Sequence, residues 1–581
     1  MSLLPTWDLN PIYPGCESEE FLSDLKHMTE DAVALETHLG DERCDVGECI
    51  SRYERILDYY ENLQAYSSAC LTTDTGNSVF LKAVGQVEQA SLTIQHLEVA
   101  FLNFLASRKD EVLRLTQDGQ ALRSYRFVLT ELLEEQSHLL DPDLEALASD
   151  LARSGCDAFS RLQEAMGSSI GSVWDEQTTK TVVQLRNEAT NADRAIRKKA
   201  FAQEIALFRQ YEIPFAAALN GVKGTTLTLD KKRGYASPLE RSLSQSRIDR
   251  PVLDALIFTL EANLGLFRRY LKAKATLLGL PGCAFFDLFA PLEATQSSFS
   301  YAEAQTFIIE QFTRFSPDMG AFASQAFSNR WIDPESRKGK VGGAYDTAFP
   351  IAKQSRILSN FDDTFNGVST LAHELGHAWH DHIVMDKSHL MRTYPMTLAE
   401  TASIFSEFLV FQGALQQSDV KQRLGLVEHF LQDACQVCVD ILSRFYFESA
   451  VFEQRAEGEL TAAQFCTLME DAQKRTYGDG LVEYHPYMWA AKGHYYSQGF
   501  SFYNYPYAFG QLFALGLYEK STEVGPGFDK QYEALLGAAG SLPAREVALQ
   551  AGIDLADPAF WQHAMSIIET YVKELEDALS H

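Results

Sequence analysis

The sequence predicts a mainly α-helical molecule with more than one subdomain and a small β element. Three observations carry that expectation. Between Pro14 and Pro214 the only proline is Pro142, so the strongest helix breaker is nearly absent from the first third of the chain. Apolar residues recur at helical spacing, as in Leu92, Leu97 and Val99 leading to Phe101, Leu102 and Leu105. The length of 581 residues exceeds what one ordinary core serves.

Residues 1–20 read as a turn-rich arm containing Pro5, Trp7, Pro11, Pro14 and Gly15. Residues 20–210 read as long antiparallel helices, and Asp141-Pro142-Asp143 suits a helix start with proline in the first turn. The expected division is a helical lobe over 1–210 and a second lobe over 211–581, with room for a cleft between them. Gly221 to Leu229, with two glycines and alternating threonines, suggests a short strand or hairpin. Ile248 to Leu278 is helical, opened by Asp249 and Pro251 and ended by Gly279. A turn-forming loop reaches Pro291, and helical pattern resumes from Ser300 to Phe315.

Residues 333–350 are a second β candidate. Gly339, Gly342 and Gly343 permit close backbone approach, and a strand at a sheet edge could pair with an extended peptide; an ordinary exposed loop is the alternative. Asn360 to Asn366 is a polar loop in which Asp362 or Asp363 could begin a helix running from about Val368 to His382. A second helix is expected from about Thr397 to Leu415, further helices over 418–480, an aromatic stretch over 484–508 and a helical tail over 527–581.

Hydrophobic residues make up 46% and charged residues 22%, which is globular composition. The net charge of −29 argues against nucleic acid and anionic lipid, because both need clustered Lys and Arg. It suits solubility and attracts cationic peptides. No targeting signal and no run of 18 apolar residues is visible, so no membrane span is expected. Nine scattered cysteines fit a reduced cytoplasm, and the Cys435-x-x-Cys438 pair reads as two small core residues on a helix.

The chemistry centres on His373-Glu374-Leu375-Gly376-His377. On a helix, His373 and His377 lie one turn apart on one face, so two imidazoles can reach one metal ion. Glu374 beside them can take a proton from a metal-bound water. Two His leave a zinc site short of a ligand, and Glu400 is the candidate third. Ser403 and Glu407 share its helical face and could hydrogen-bond the ligands. His380 and His382 are expected to support the ligands or to lie on the helix surface.

The run His-Glu-Leu-Gly-His-Ala-Trp-His, with Glu-Thr-Ala-Ser-Ile-Phe-Ser-Glu downstream, resembles the M3 family of zinc metallopeptidases, and most nearly its oligoendopeptidase F type. The similarity extends to Trp7-Asp8-Leu9, Arg337-Lys338-Gly339-Lys340, Gly343-Ala344-Tyr345 and Phe502 to Gly510, and so spans nearly the whole chain. The resemblance implies a two-lobed helical molecule with a deep channel that limits substrates to short unstructured peptides. It implies one zinc ion held by His373, His377 and Glu400, with Glu374 as the base. It also implies that His494 and the Tyr503 to Tyr507 cluster bind substrate and stabilise the oxyanion, Tyr507 before Tyr503. An exopeptidase such as a carboxypeptidase on the same scaffold, or a peptide-binding protein without catalysis, are the alternatives. The intact Glu374 speaks against the last.

Overall fold

Ser18, Asp45 and Asn77 each start a long helix by accepting a backbone N–H with the side chain: Glu19–Leu39, Val46–Thr73 and Ser78–Ser107. They are seen in a computed structural model that describes residues 4–41, 43–292 and 298–579. The mainly helical expectation holds. Among the described residues the β structure is one hairpin, one parallel pair and one three-stranded sheet. No helix among them is long and apolar enough to cross a membrane.

The chain forms two compact units, each assembled from three segments. One comprises Met1–Ser137, Gln296–Gln417 and Lys520–Ile553; the other comprises His138–Thr295, Ser418–Glu519 and Asp554–His581. No boundary falls at 210. Helices Arg194–Gln210 and Glu212–Lys232 are separated by Tyr211 alone, and Phe208 and Phe215 pack edge to face at 5.7 Å within one core. Nor do the first helices stand apart from the residues of the motif. Phe21, Tyr53, Leu97 and Phe101 share a core with Phe349 and Leu358 of the three-stranded sheet.

In the first unit that sheet takes the order Ile332–Asp333, Gln354–Leu358, Tyr345–Phe349. The last strand is an edge, paired antiparallel with the middle one from Tyr345 opposite Leu358 to Phe349 opposite Gln354. The β expectation for 333–350 is thus met only at its ends, and 337–344 is a loop. Lys340 holds that loop: its side chain, shielded from solvent, donates to the carbonyls of Asp333, Glu335 and Ser359 and to the Asp333 carboxylate. Asn360 donates to the carbonyls of Val341 and Gly343 at 3.0 and 2.8 Å, and Thr72 accepts from Val341 N–H.

The second unit corrects two expectations. A hairpin, Gly171–Val173 with Thr179–Thr181, interrupts the block expected to be all helix. The expected strand at 221–229 is instead part of helix Glu212–Lys232. Phe215, Leu219, Val222, Thr226 and Asp230 are buried at helical spacing, and Thr225, Thr226 and Thr228 each donate to the carbonyl four residues back. The glycines serve packing: a Cβ on Gly221 would lie 2.5 Å from the Phe159 ring, and one on Gly224 would lie 2.4 Å from the Arg455 guanidinium. Cys435 and Cys438 are core residues, as expected, at 3% and 0% exposure. Asp249 caps Arg250–Ala262, and Asp141 caps Pro142–Ser154, both with proline in the first turn.

The two roles of glycine in these helices can be separated. Gly221→Ala should destabilise the protein by about 1–3 kcal/mol through the clash with Phe159. Gly85→Ala, whose Cβ would meet nothing within 4 Å, should stabilise by up to about 1 kcal/mol. Urea unfolding followed by circular dichroism tests the pair, and equal signs would contradict the packing role.

Candidate active site

Thr364 starts the motif helix, Phe365–Val384, by accepting the Gly367 N–H, while Asp362 accepts from the Thr364 N–H and hydroxyl. The cap is therefore Thr364 rather than Asp362 or Asp363. The following helix is broken once. Met396–Ala399 and Thr401–Gln417 are separated by Glu400, whose φ of −85° and ψ of 2° leave the helical range. The two long helices cross with backbone contact at Gly376. A Cβ there would lie 2.5 Å from the Ala402 carbonyl oxygen, 2.7 Å from Ser403 Cα and 2.7 Å from Ser406 Oγ. Glycine at this position is what lets Glu400, Ser403 and Glu407 reach the histidines.

The crossing gathers His373, His377 and Glu400. Nε2 of His373 and Nε2 of His377 are 3.1 Å apart, and Glu400 Oε2 lies 3.4 and 3.5 Å from them. Three ligands at about 2.0–2.1 Å from a tetrahedral ion are separated by about 3.3 Å, so this donor set fits a zinc-sized ion. The supporting bonds expected from the helical face are present. Glu407 Oε1 lies 2.6 Å from His373 Nδ1, which leaves Nε2 for a metal, and Ser403 donates to Glu400 Oε2 at 2.8 Å.

Charge is distributed unevenly over the site. Burial alone would raise Glu400, but His377, His373 and the Ser403 hydroxyl outweigh it and hold its pKa at about 2. Burial also opposes charge on His373, yet Glu407, Glu374 and Glu400 raise it to about 9 before any metal binds. Glu374 is raised by burial, against the pull of both histidines. It lines a cavity of about 460 Å³ together with His373, Glu407, Asn360, Gly343 and Ala344. The approach to the edge strand therefore opens beside the candidate base.

His380 and His382 part company. His380 is fully buried, stacked on Tyr394 at 4.1 Å with Nε2 3.1 Å from the Leu536 carbonyl, and burial lowers its pKa to about 3. It is a core residue. His382 lies on the helix surface against Trp379.

His494, Tyr503 and Tyr507 belong to the other compact unit and form a cluster of their own. Asn504 Nδ2 lies 2.7 Å from His494 Nε2, and the Tyr503 and Tyr507 hydroxyls are 3.0 Å apart. Arg444 in turn donates to Asn504 Oδ1 at 3.0 Å. Burial, with Arg444 and Lys492 nearby, lowers His494 to about 2, so it is neutral. Phe502 just before the tyrosines has a φ of 56°, a strained setting for a bulky residue.

Sequence reasoning missed two groups. Asn360, which pins the loop lining the cavity, was legible only as a polar loop residue. Asp346 on the edge strand faces Asp381, one turn beyond His377, and Tyr394 donates to Asp381 at 3.2 Å. Burial and Asp381 raise Asp346 well above the usual carboxylate range, and burial raises Asp381, so the two share a proton. Nothing in the spacing of 346 and 381 signals that they meet.

Two outcomes follow from this geometry. Gly376→Ala should force the helices apart and weaken zinc binding by at least about tenfold, measured by competition with a chromogenic chelator. For the acid pair, raised pKa values mean that the fold holds protons the unfolded chain releases. The resulting stability is complete below the ordinary carboxylate range and is lost as pH rises through the folded values. In chelator, wild-type stability should fall relative to Asp346→Asn above about pH 4, by up to about 1.4 kcal/mol per pH unit. Parallel urea midpoints across pH would count against a shared proton.

Comparison with known proteins gives the family. Residues 188–567 match the sequence pattern of "Peptidase family M3", and residues 104–170 match that of "Oligopeptidase F". The chain is 26% identical to oligopeptidase PepF of Bacillus subtilis (strain 168), over 99% of this chain and 87% of that one. It is also 26% identical to an oligoendopeptidase F homolog of Lactococcus lactis subsp. lactis (strain IL1403), over 98% and 96%. Among solved structures, a Chlamydophila abortus chain has the same fold at a TM-score of 0.85 and 21% identity, covering 99% of both chains. Oligoendopeptidase-F from Enterococcus faecium has it at 0.69 and 20% identity, covering 97% and 99%. The chain belongs to peptidase family M3, in its oligoendopeptidase F branch, and is a peptide hydrolase.

Proposed function

We propose that the protein is a zinc-dependent endopeptidase that hydrolyses internal bonds of short, unstructured peptides. One observation carries the reading: a buried glutamate, Glu374, adjoins a three-ligand donor set of tetrahedral spacing and lines, with His373, a cavity beside an edge strand. His373, His377 and Glu400 would hold the ion. Zinc bound there supplies a Lewis acid that polarises the peptide carbonyl and makes water acidic enough to react near neutral pH.

The remaining work falls to the chain. Glu374 accepts the proton of the attacking water and passes it to the leaving amine, and its raised pKa brings it nearer the working pH. Glu407 fixes the His373 ring through Nδ1, and Ser403 orients Glu400. Tyr345–Phe349 offers a free edge along which an extended peptide can lie. For Tyr507, Tyr503 and His494 the role of oxyanion donors rests on the family resemblance alone. The restriction to short peptides rests on the oligoendopeptidase F branch. Nine unpaired thiols, eight of them buried, support a reducing cytoplasm as the location.

Glu374→Gln should bind zinc as wild type does yet hydrolyse a quenched peptide at least about 10²-fold more slowly. An unchanged rate in a zinc-loaded variant would exclude Glu374 as the base. Chelation should abolish hydrolysis and added zinc restore it. A peptide blocked at both ends should be cut internally; cleavage that requires a free carboxyl end would favour the carboxypeptidase reading. Tyr507→Phe should lower kcat by about 10²–10³ if it holds the oxyanion, and Tyr503→Phe should then cost less.

A further inference from the structure

Away from the peptidase site, three metal-binding side chains meet at the first helical hairpin. His38 closes helix Glu19–Leu39, Cys44 lies in the turn, and Cys49 lies near the start of Val46–Thr73. The imidazole nitrogen and the two sulfurs all lie within 4.8 Å of one another.

Several features distinguish this group from ordinary core cysteines. Nε2 of His38 is buried with no hydrogen-bond partner, which leaves a polar atom desolvated at a cost of about 1–3 kcal/mol. The thiols are free and nearly inaccessible, at 6% for Cys44 and 0% for Cys49. The turn that carries Cys44 back over His38 is tied down. Asp41 N–H donates to His38 O at 2.9 Å and Cys44 N–H to Asp41 O at 3.2 Å, while Arg108 donates to Cys44 O at 2.8 Å.

A second cluster shows what a filled arrangement looks like. Asp58, Glu61 and His389 are equally close, but Arg392 donates to both carboxylates at 2.5 and 2.6 Å and occupies the place of a cation.

We propose that His38, Cys44 and Cys49 bind one zinc ion, separate from the peptidase site, that fastens the first helical hairpin. Nitrogen and sulfur donors suit zinc, with Zn–S near 2.3 Å and Zn–N near 2.0–2.1 Å. Tetrahedral ligands at those distances are about 3.5–3.8 Å apart, so the three need close by no more than about 1 Å on binding. Two S–H bonds are replaced by two Zn–S bonds and two protons pass to solvent; no oxidant is needed. Water takes the fourth position through the partly exposed side of His38.

Cobalt(II) tests this in the full-length protein, because thiolate ligation gives a near-ultraviolet charge-transfer band that two imidazoles and a carboxylate cannot give. The metal-stripped, reduced protein should take up two equivalents of Co²⁺ and develop that band. Cys49→Ser should lose the band and one equivalent while keeping the other equivalent and peptide hydrolysis. His38→Gln, at a partly exposed position that folding tolerates better, should shift the band's titration midpoint at least about tenfold. A wild-type protein without the band overturns the proposal, whether its thiols stay reduced or join as a disulfide. So does a band that survives both substitutions. The band reports thiolate ligation, which His373, His377 and Glu400 cannot give, so the result is independent of whether a metal binds there.

Discussion

The site depends on two helices passing at backbone distance. Helices normally pack about 8–10 Å apart, held off by their side chains. At Gly376 there is none, and the carbonyl of Ala402 and the Cα of Ser403 occupy the space a methyl group would need. That approach brings the Glu400 carboxylate within 3.4 and 3.5 Å of the Nε2 atoms of the two imidazoles on the other helix. The break at Glu400 adds the rest: a residue outside helical geometry can turn its side chain toward His373 and His377 while Ser403, in the next turn, reaches back to hold it.

The same packing sorts the acids into different roles. Glu400 and Glu374 sit beside the same two histidines, yet one is held at about 2 and the other is raised. The difference lies in contacts. Glu400 meets the ring nitrogens and a serine hydroxyl, whereas burial dominates Glu374. Environments that push neighbouring carboxylates apart in pKa are how one site can supply both an anionic ligand and a base poised to accept a proton. Glu407 takes a third role, anchoring a histidine from behind, and the Asp346–Asp381 pair a fourth, joining the edge strand to the motif helix through a shared proton.

What was legible in the sequence followed from local periodicity. His373 and His377 at four residues, and Glu400, Ser403 and Glu407 on one face, are statements about a helix, and helices repeat. The helix starts at Asp249 and Asp141 were legible too, from an acid followed closely by proline. Long-range packing was not. Gly221 and Gly224 look like strand or turn residues until Phe159 and Arg455 are seen against them. Lys340 looks like a surface lysine until its three carbonyl partners converge. The boundary drawn at 210 failed because a composition shift is local, while a compact unit is defined by which distant segments share a core.

That last point bears on how the protein is made. The unit carrying the motif helix is closed by residues 520–553: the Leu536 carbonyl meets His380, and Tyr532 stacks on Phe405 at 4.6 Å. During synthesis the histidines and Glu400 leave the ribosome more than a hundred residues before these partners do. Over that interval the nascent chain carries an unfinished, partly apolar surface exposed to chaperones and to aggregation. The scaffold that carries the histidines and Glu400 is therefore not complete until residues 520–553 have emerged and packed against it.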